Sequence, residues 1–227
     1  MAMVTPMTNG TKKEKNMENI QNTLKNCVNN YEIAKEHLCL RALSSERYED
    51  LCDMTNDRVL GEPKETFYLV PYLCLDDNND KMASCAVTTD LINGWGITKE
   101  ELMKDTLNNS PKLFPFEMTT IEEKLGAPRP EKPGIYVITN KKMINGASAL
   151  FYKNAMSIAY LLIGEEYYVL PSSVHEVLAV PVSQCDHVEG LAYNVRAINA
   201  GIVSKDDYLS DNVFKYDAGL NDIVTVA

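Results

Sequence analysis

Residues 135–182 read IYVITNKKMINGASALFYKNAMSIAYLLIGEEYYVLPSSVHEVLAVPV, and this stretch decides the fold class. Its opening, 135–139, is a β-branched run and predicts a strand. From 144 to 163 the spacing predicts one long helix with Ala147, Phe151, Ala155, Ile158 and Leu162 on a single apolar face. Lys153, Ser157 and Tyr160 form the narrow polar stripe left over, so the helix belongs at the centre of a core. Residues 167–170 and 175–182 read as strands joined at Pro171-Ser172-Ser173. A buried helix between a strand and a hairpin is the grammar of a layered α+β fold.

Working toward the N-terminus, 126–134 (GAPRPEKPG) contains three prolines and two glycines and reads as a linker. Before it, Thr120 and Glu123 suggest a capping box, with Gly126 closing a short helix. Thr98 caps a longer helix, with Glu101 reaching back and Ile97 and Leu102 at the staple positions. Pro111 disfavours helical geometry at the residue before it, so this helix is expected to end by Ser110. Residues 67–75 and 82–88 form a hairpin across the acidic turn 76–80, with an edge or bulge expected at Pro71. Helices are expected at 17–36 and 44–54, flanking a short strand at 37–43. Residues 1–16 are polar and aperiodic and read as a disordered tail.

Toward the C-terminus, Asp186 and Glu189 open a helix with a stripe of Val188, Leu191, Ala192, Val195 and Ile198. Two short strands, 213–216 and 222–226, finish the chain. Residues 38–109 and 135–200 thus share the order strand–helix–strand–strand–helix. The expectation is one α+β domain over 17–227, a two-layer mixed sheet with helices on a face. Its two similar halves, about 38–125 and 135–227, would be joined by the Pro-rich linker.

The formal charge of −10 opposes a duplex or an anionic membrane, and Lys12, Lys13 and Lys15 are the only basic cluster. Nothing resembles a signal peptide, and the greasiest run, 155–163, is far shorter than the roughly 20 residues a membrane span requires. The six cysteines are scattered without a CxxC pair and read as reduced thiols, so the expected location is the cytoplasm.

Ser172, Ser173, His175 and Glu176 are the candidate catalytic residues, because hydroxyl, imidazole and carboxylate lie within five positions. On a strand, His175 and Glu176 would point to opposite faces, and no GxSxG elbow precedes a helix. Cys185-Asp186-His187 offers two metal-ligand types, with His175 a conceivable third, but lacks the paired spacing of zinc sites. The turn 76–80 lacks the glycine and terminal glutamate of a calcium loop. Gly94-Trp95-Gly96 is not followed by a P-loop ending and reads as a tight approach before a capped helix. No cofactor is implied.

Four motifs, GITKEEL (96–102), IYVITN (135–140), PSSVHEV (171–177) and LSDNVFKYD (209–217), resemble a family of Clostridia-type bacterial proteins catalogued only as a domain of unknown function. The resemblance covers roughly 46–223 and implies no activity or ligand. The functional expectation is a non-catalytic cytosolic interaction or regulatory module with a protein partner, bound at the acidic surface or a strand edge. Two alternatives stand beside it: a hydrolase with His175 as base and Ser172 or Ser173 nearby, and an acidic mimic of nucleic acid.

Overall fold

The computed structural model describes residues 12–55, 59–78 and 81–227. The first part of the chain runs α1 (Lys12–Asn29), α2 (Tyr31–Lys35), β1 (Leu38–Ser44), α3 (Ser45–Thr55), β2 (Glu62–Lys64), β3 (Phe67–Asn78) and β4 (Lys81–Ala86). Then come α4 (Thr89–Trp95), α5 (Lys99–Leu113), β5 (Phe116–Thr120), α6 (Ile121–Lys124) and β6 (Tyr136–Asn140). A 3-10 segment (Gly146–Phe151) leads into α7 (Ala155–Ile163), β7 (Tyr167–Ser173) and β8 (Glu176–Pro181). A short 3-10 turn (Val182–Gln184), α8 (Val188–Gly201), β9 (Phe214–Asp217) and β10 (Asp222–Thr225) complete it.

The fold is α+β, but its strands form two sheets rather than one mixed sheet. One has β3 between β1 and the pair β2 and β4; the other has the order β10-β9-β7-β8-β6-β5. Every pairing is antiparallel. Hairpins such as β3–β4, β7–β8 and β9–β10 dictate this, because a parallel pair needs a long crossover.

The Pro-rich stretch lies between two strands that pair with each other. β5 and β6 pair over five residues across it, from Phe116↔Asn140 to Thr120↔Tyr136. The two stretches do not repeat one order: the first adds β2 and splits its last helix into α4 and α5, and β1 joins the first strand of its hairpin, β3, whereas β6 joins the second, β8. One apolar cluster draws on both sheets, with Leu40, Ala42, Phe67 and Leu69 meeting Ile138, Val169, Val177 and Phe214. Phe67 lies edge-on to both Phe151 and Phe214, each at 5.7 Å.

Several boundaries differ from the periodic reading, each for a local reason. Helix α1 begins at Lys12, so 12–16 are helical; residues 1–11 of the expected tail lie outside the described residues. Asn30 then breaks the expected 17–36 helix by accepting the Glu32 amide on Oδ1 at 3.0 Å as the cap of α2. Thr98 caps α5 as expected, its Oγ1 accepting the Glu101 amide at 3.1 Å, but among the described residues the reciprocal carboxylate bond of a capping box does not form there. Helix α5 continues through Pro111 to Leu113. Pro111 has no N–H to give the Leu107 carbonyl, so the last turn forgoes one helical bond.

Pro71 sits in the middle of β3, paired with β1 on one side and in a local break in the pairing on the other, with no bulge at that position. Leu40 is opposite it and turns its own N–H and C=O away from β3, to Ser110 Oγ (2.8 Å) and Ser148 Oγ (2.9 Å). Leu40 and Pro71 are therefore a non-hydrogen-bonded pair. The proline nitrogen faces the gap between β2, which stops pairing at Leu69, and β4, which starts at Tyr72. The register shift lies further on, between Cys74 and Asp76. Asn109 Nδ2 also bonds the Leu38 carbonyl at 3.0 Å, so side chains cover the outer edge of β1.

The expected 144–163 helix is two pieces. The 3-10 segment ends at Phe151, and Asn154, at φ 65°, restarts the chain as α7. This break resets the phase: Ala155, Met156 and Ala159 face the core, while Ile158 and Leu162 point outward. Tyr160, assigned to the polar stripe, packs against the core.

Candidate functional site

His175 lies in a turn, not on a strand. Ser173 pairs with Glu176, so Val174 and His175 form a two-residue connection between β7 and β8. The backbone of this turn is held on all sides. Val174 N–H donates to the Asp207 carbonyl (2.8 Å), and the Val174 carbonyl accepts from Ala147 N–H (3.1 Å). The His175 carbonyl accepts from the Thr139 hydroxyl (2.8 Å), and the His175 amide donates to Ser173 Oγ (3.0 Å). Gly146 makes the packing possible, since a Cβ there would lie 2.4 Å from the His175 carbonyl oxygen.

The imidazole itself is bonded at both nitrogens. Nδ1 accepts from the Asn145 amide at 3.1 Å, and Nε2 is 3.0 Å from Asp207 Oδ1. An amide N–H only donates, so the ring proton resides on Nε2 and points at the carboxylate. Ser204 steadies Asp207, donating its hydroxyl to Oδ2 at 2.8 Å and accepting the Asp207 amide at 3.2 Å. The His175 and Asp207 side chains are each 40% exposed, so the pair borders solvent.

Of the residues singled out from the sequence, His175 and Ser173 are neighbours, but through the backbone amide and not the ring. Glu176 turns to an ion pair with Lys124. The side chain of Ser172 lies outside the described residues. The carboxylate beside the imidazole is Asp207, which the local reading missed because it is 32 positions away. Two traces of it were in the chain: the Asn145-Gly146 dipeptide, which marks a special turn, and the Ser204–Asp207 spacing of a side-chain cap.

Chemically, a triad base needs one nitrogen oriented by a carboxylate and the other turned to a nucleophile. Here the second nitrogen meets a main-chain donor, so no lone pair is left to take a proton. Beyond Asp207, a cavity of about 410 Å³ opens between α3 and residues 203–208. Four of its charged side chains are paired with one another, Arg47 to Asp206 at 3.3 Å and Lys205 to Glu46 at 3.4 Å.

The remaining candidates stand apart from this turn. His187 precedes α8 at the cap position without a side-chain bond to it, and Cys185 is half-buried. Among the described residues, no group of three or more His, Cys, Asp or Glu is placed to hold a metal ion. The acidic turn 76–80 falls partly outside the described residues. Gly96, at φ 70°, ends α4, and Trp95 Nε1 donates to the Cys27 carbonyl at 3.0 Å, which docks α1. No helix among the described residues is long and apolar enough to cross a membrane.

All six cysteines are free. Burial pushes the Cys27 thiol up to about 11, and Cys39 to about 12 against the opposing pull of Arg41. Cys74 and Cys85 are raised by the same desolvation.

Neither the curated proteins nor the solved structures contain a match to this chain. A family model does match it, over residues 4–218, so the likeness extends well beyond the motifs toward the N-terminus. The chain belongs to that family, described as a family of unknown function (DUF5688).

Proposed function

We propose that this chain is a non-catalytic binding or regulatory module that works in the cytosol on a protein partner. The observation that carries the reading is the double engagement of His175: Asn145 N–H holds Nδ1 and Asp207 holds Nε2. The one hydroxyl–imidazole–carboxylate cluster singled out from the sequence is thereby bound into a turn clamp rather than aimed at a substrate. A charge of −10 favours a protein partner over nucleic acid or an anionic membrane. Protonated, buried thiols suit a reducing compartment.

One observation favours the hydrolase instead, namely an imidazole at the surface with a carboxylate at 3.0 Å. The two readings part in a screen for esterase, peptidase and phosphatase turnover, run on the wild type and on His175→Gln. The binding module shows no turnover above buffer in either protein. Reproducible wild-type turnover that His175→Gln abolishes, with circular dichroism unchanged, would overturn it in favour of a hydrolase using Ser172 or Ser173.

A further inference from the structure

Helix α7 has the sequence AMSIAYLLI, nine residues without a charge. Its inner face is spent on the core through Ala155, Met156 and Ala159. Its outer face carries Ile158, Leu161 and Leu162, exposed to 42%, 77% and 53%. These three recur at i, i+3 and i+4, which places them on one arc of the helix. Leu220, 67% exposed, lies on the turn that Asn221 Oδ1 ties to α7 through the Ser157 hydroxyl at 2.7 Å. A single exposed leucine needs no explanation, but a contiguous apolar arc marks a surface that is covered in use.

We propose that α7 is the contact between two copies of this chain, packed antiparallel about a two-fold axis. The inference goes beyond the binding-module reading and does not depend on it. The charges at the two ends of the helix select this occupant. Lys153, exposed and without an acidic partner among the described residues, lies just before the helix; Glu165 and Glu166 lie just after it. Glu166 is neutralised by Lys215 at 2.6 Å, whereas Glu165 takes only the uncharged amide and hydroxyl of Ser183. An antiparallel two-fold contact sets the residue before one helix against the residue after the other, so each Lys153 meets the partner's Glu165. A parallel contact would set lysine against lysine. The opposed helix dipoles favour the same arrangement.

A lipid surface fits the same face less well, because two glutamates close the helix, although Lys153 precedes it and Arg129 and Lys132 line the cavity beside Leu162. The charge of −10 on each copy opposes association at long range. At physiological ionic strength that repulsion is screened within about 8 Å.

The test is sedimentation equilibrium of the full chain across the micromolar range, with light scattering as a second measure of mass. The expected result is a reversible monomer–dimer equilibrium. Leu161→Glu should weaken association by at least about tenfold, the scale for charging a buried hot-spot residue. Its exposure means that the monomer keeps its fold, which circular dichroism checks. Lys153→Glu should weaken association as well, and added salt should narrow its gap from the wild type. A wild-type chain that stays monomeric throughout, whether or not α7 captures some other protein, overturns the proposal. So does a dimer that Leu161→Glu leaves intact.

Discussion

A Cβ at Gly146 would lie 2.1 Å from Thr139 Oγ1, 2.4 Å from the His175 carbonyl oxygen and 2.8 Å from the Asn140 amide nitrogen. Two of these neighbours are backbone atoms within the turn clamp and cannot rotate away. Gly146→Ala should therefore destabilise by about 1–3 kcal/mol, as overpacking does in a close-packed interior. Urea unfolding measures it, and a change under about 0.5 kcal/mol would mean that the clamp is loose. The thiols give a second expectation at this scale. In the unfolded chain a cysteine ionises near 8.5, whereas Cys27 and Cys39 are raised to about 11 and about 12 in the fold. A raised thiol favours the folded state fully below the unfolded value, and that contribution is lost as pH climbs toward the folded one. Stability should fall between roughly pH 8.5 and 12, by up to about 1.4 kcal/mol per pH unit for each such thiol. Cys39→Ala should flatten the decline in a series of denaturation curves. His175 shows why the site was only half legible in the sequence. The residue type was visible, but placing it in a strand instead of a turn hid both ring partners, and Asn145 and Asp207 come from segments 30 and 32 positions away.

At the level of elements, local signals were read well wherever one residue decides the outcome. The Thr120–Glu123 capping box forms reciprocally, and Gly126, at φ 78°, follows the end of α6. Long-range pairing decided the rest. Pro111 sets a local preference against helix at Ser110, yet α5 runs on to Leu113, because Asn109 and Ser110 are held in helical register by their bonds to β1. The largest error came from counting one helical phase through Asn154, where the chain breaks and restarts. The consequence is testable. Leu150, buried at 1% in the 3-10 segment, should lose about 2–5 kcal/mol on Leu150→Ala. Leu162→Ala, measured at submicromolar concentration where chains are separate, should cost about 0.5 kcal/mol or less. The reverse ranking would restore the uninterrupted helix.

For the whole molecule, the strand–helix–hairpin pattern of 135–182 carries the α+β class but not the partition of the strands into two sheets. Order of elements is read along the chain, whereas pairing is decided by which edges meet, and the β5–β6 ladder spans the very stretch that looked like a boundary. The shared cluster around Phe67, Ile138 and Phe214 makes each portion depend on the other. Residues 17–125 and 135–227, expressed separately, should each lack a cooperative thermal transition, while the intact chain melts in one. Two independently melting fragments would overturn the single-domain expectation and place a boundary at the proline-rich stretch.

The covered edge of β1 bears on how the protein is made. Leu40 donates its amide to Ser110 and accepts from Ser148, which follow it by 70 and 108 positions. A ribosome adding about 5–20 residues per second leaves that edge open for roughly 5–20 s after β1 emerges. Throughout this interval β1 and β3 can already pair while the outer face of β1 stays available to any passing strand. Nascent chains stalled before Ser148 has emerged should be cut within β1 by a protease that spares longer ones. Slowing translation should raise the demand for chaperones that shield the early sheet, and chains released early should aggregate through β1 although the finished molecule offers no such edge there.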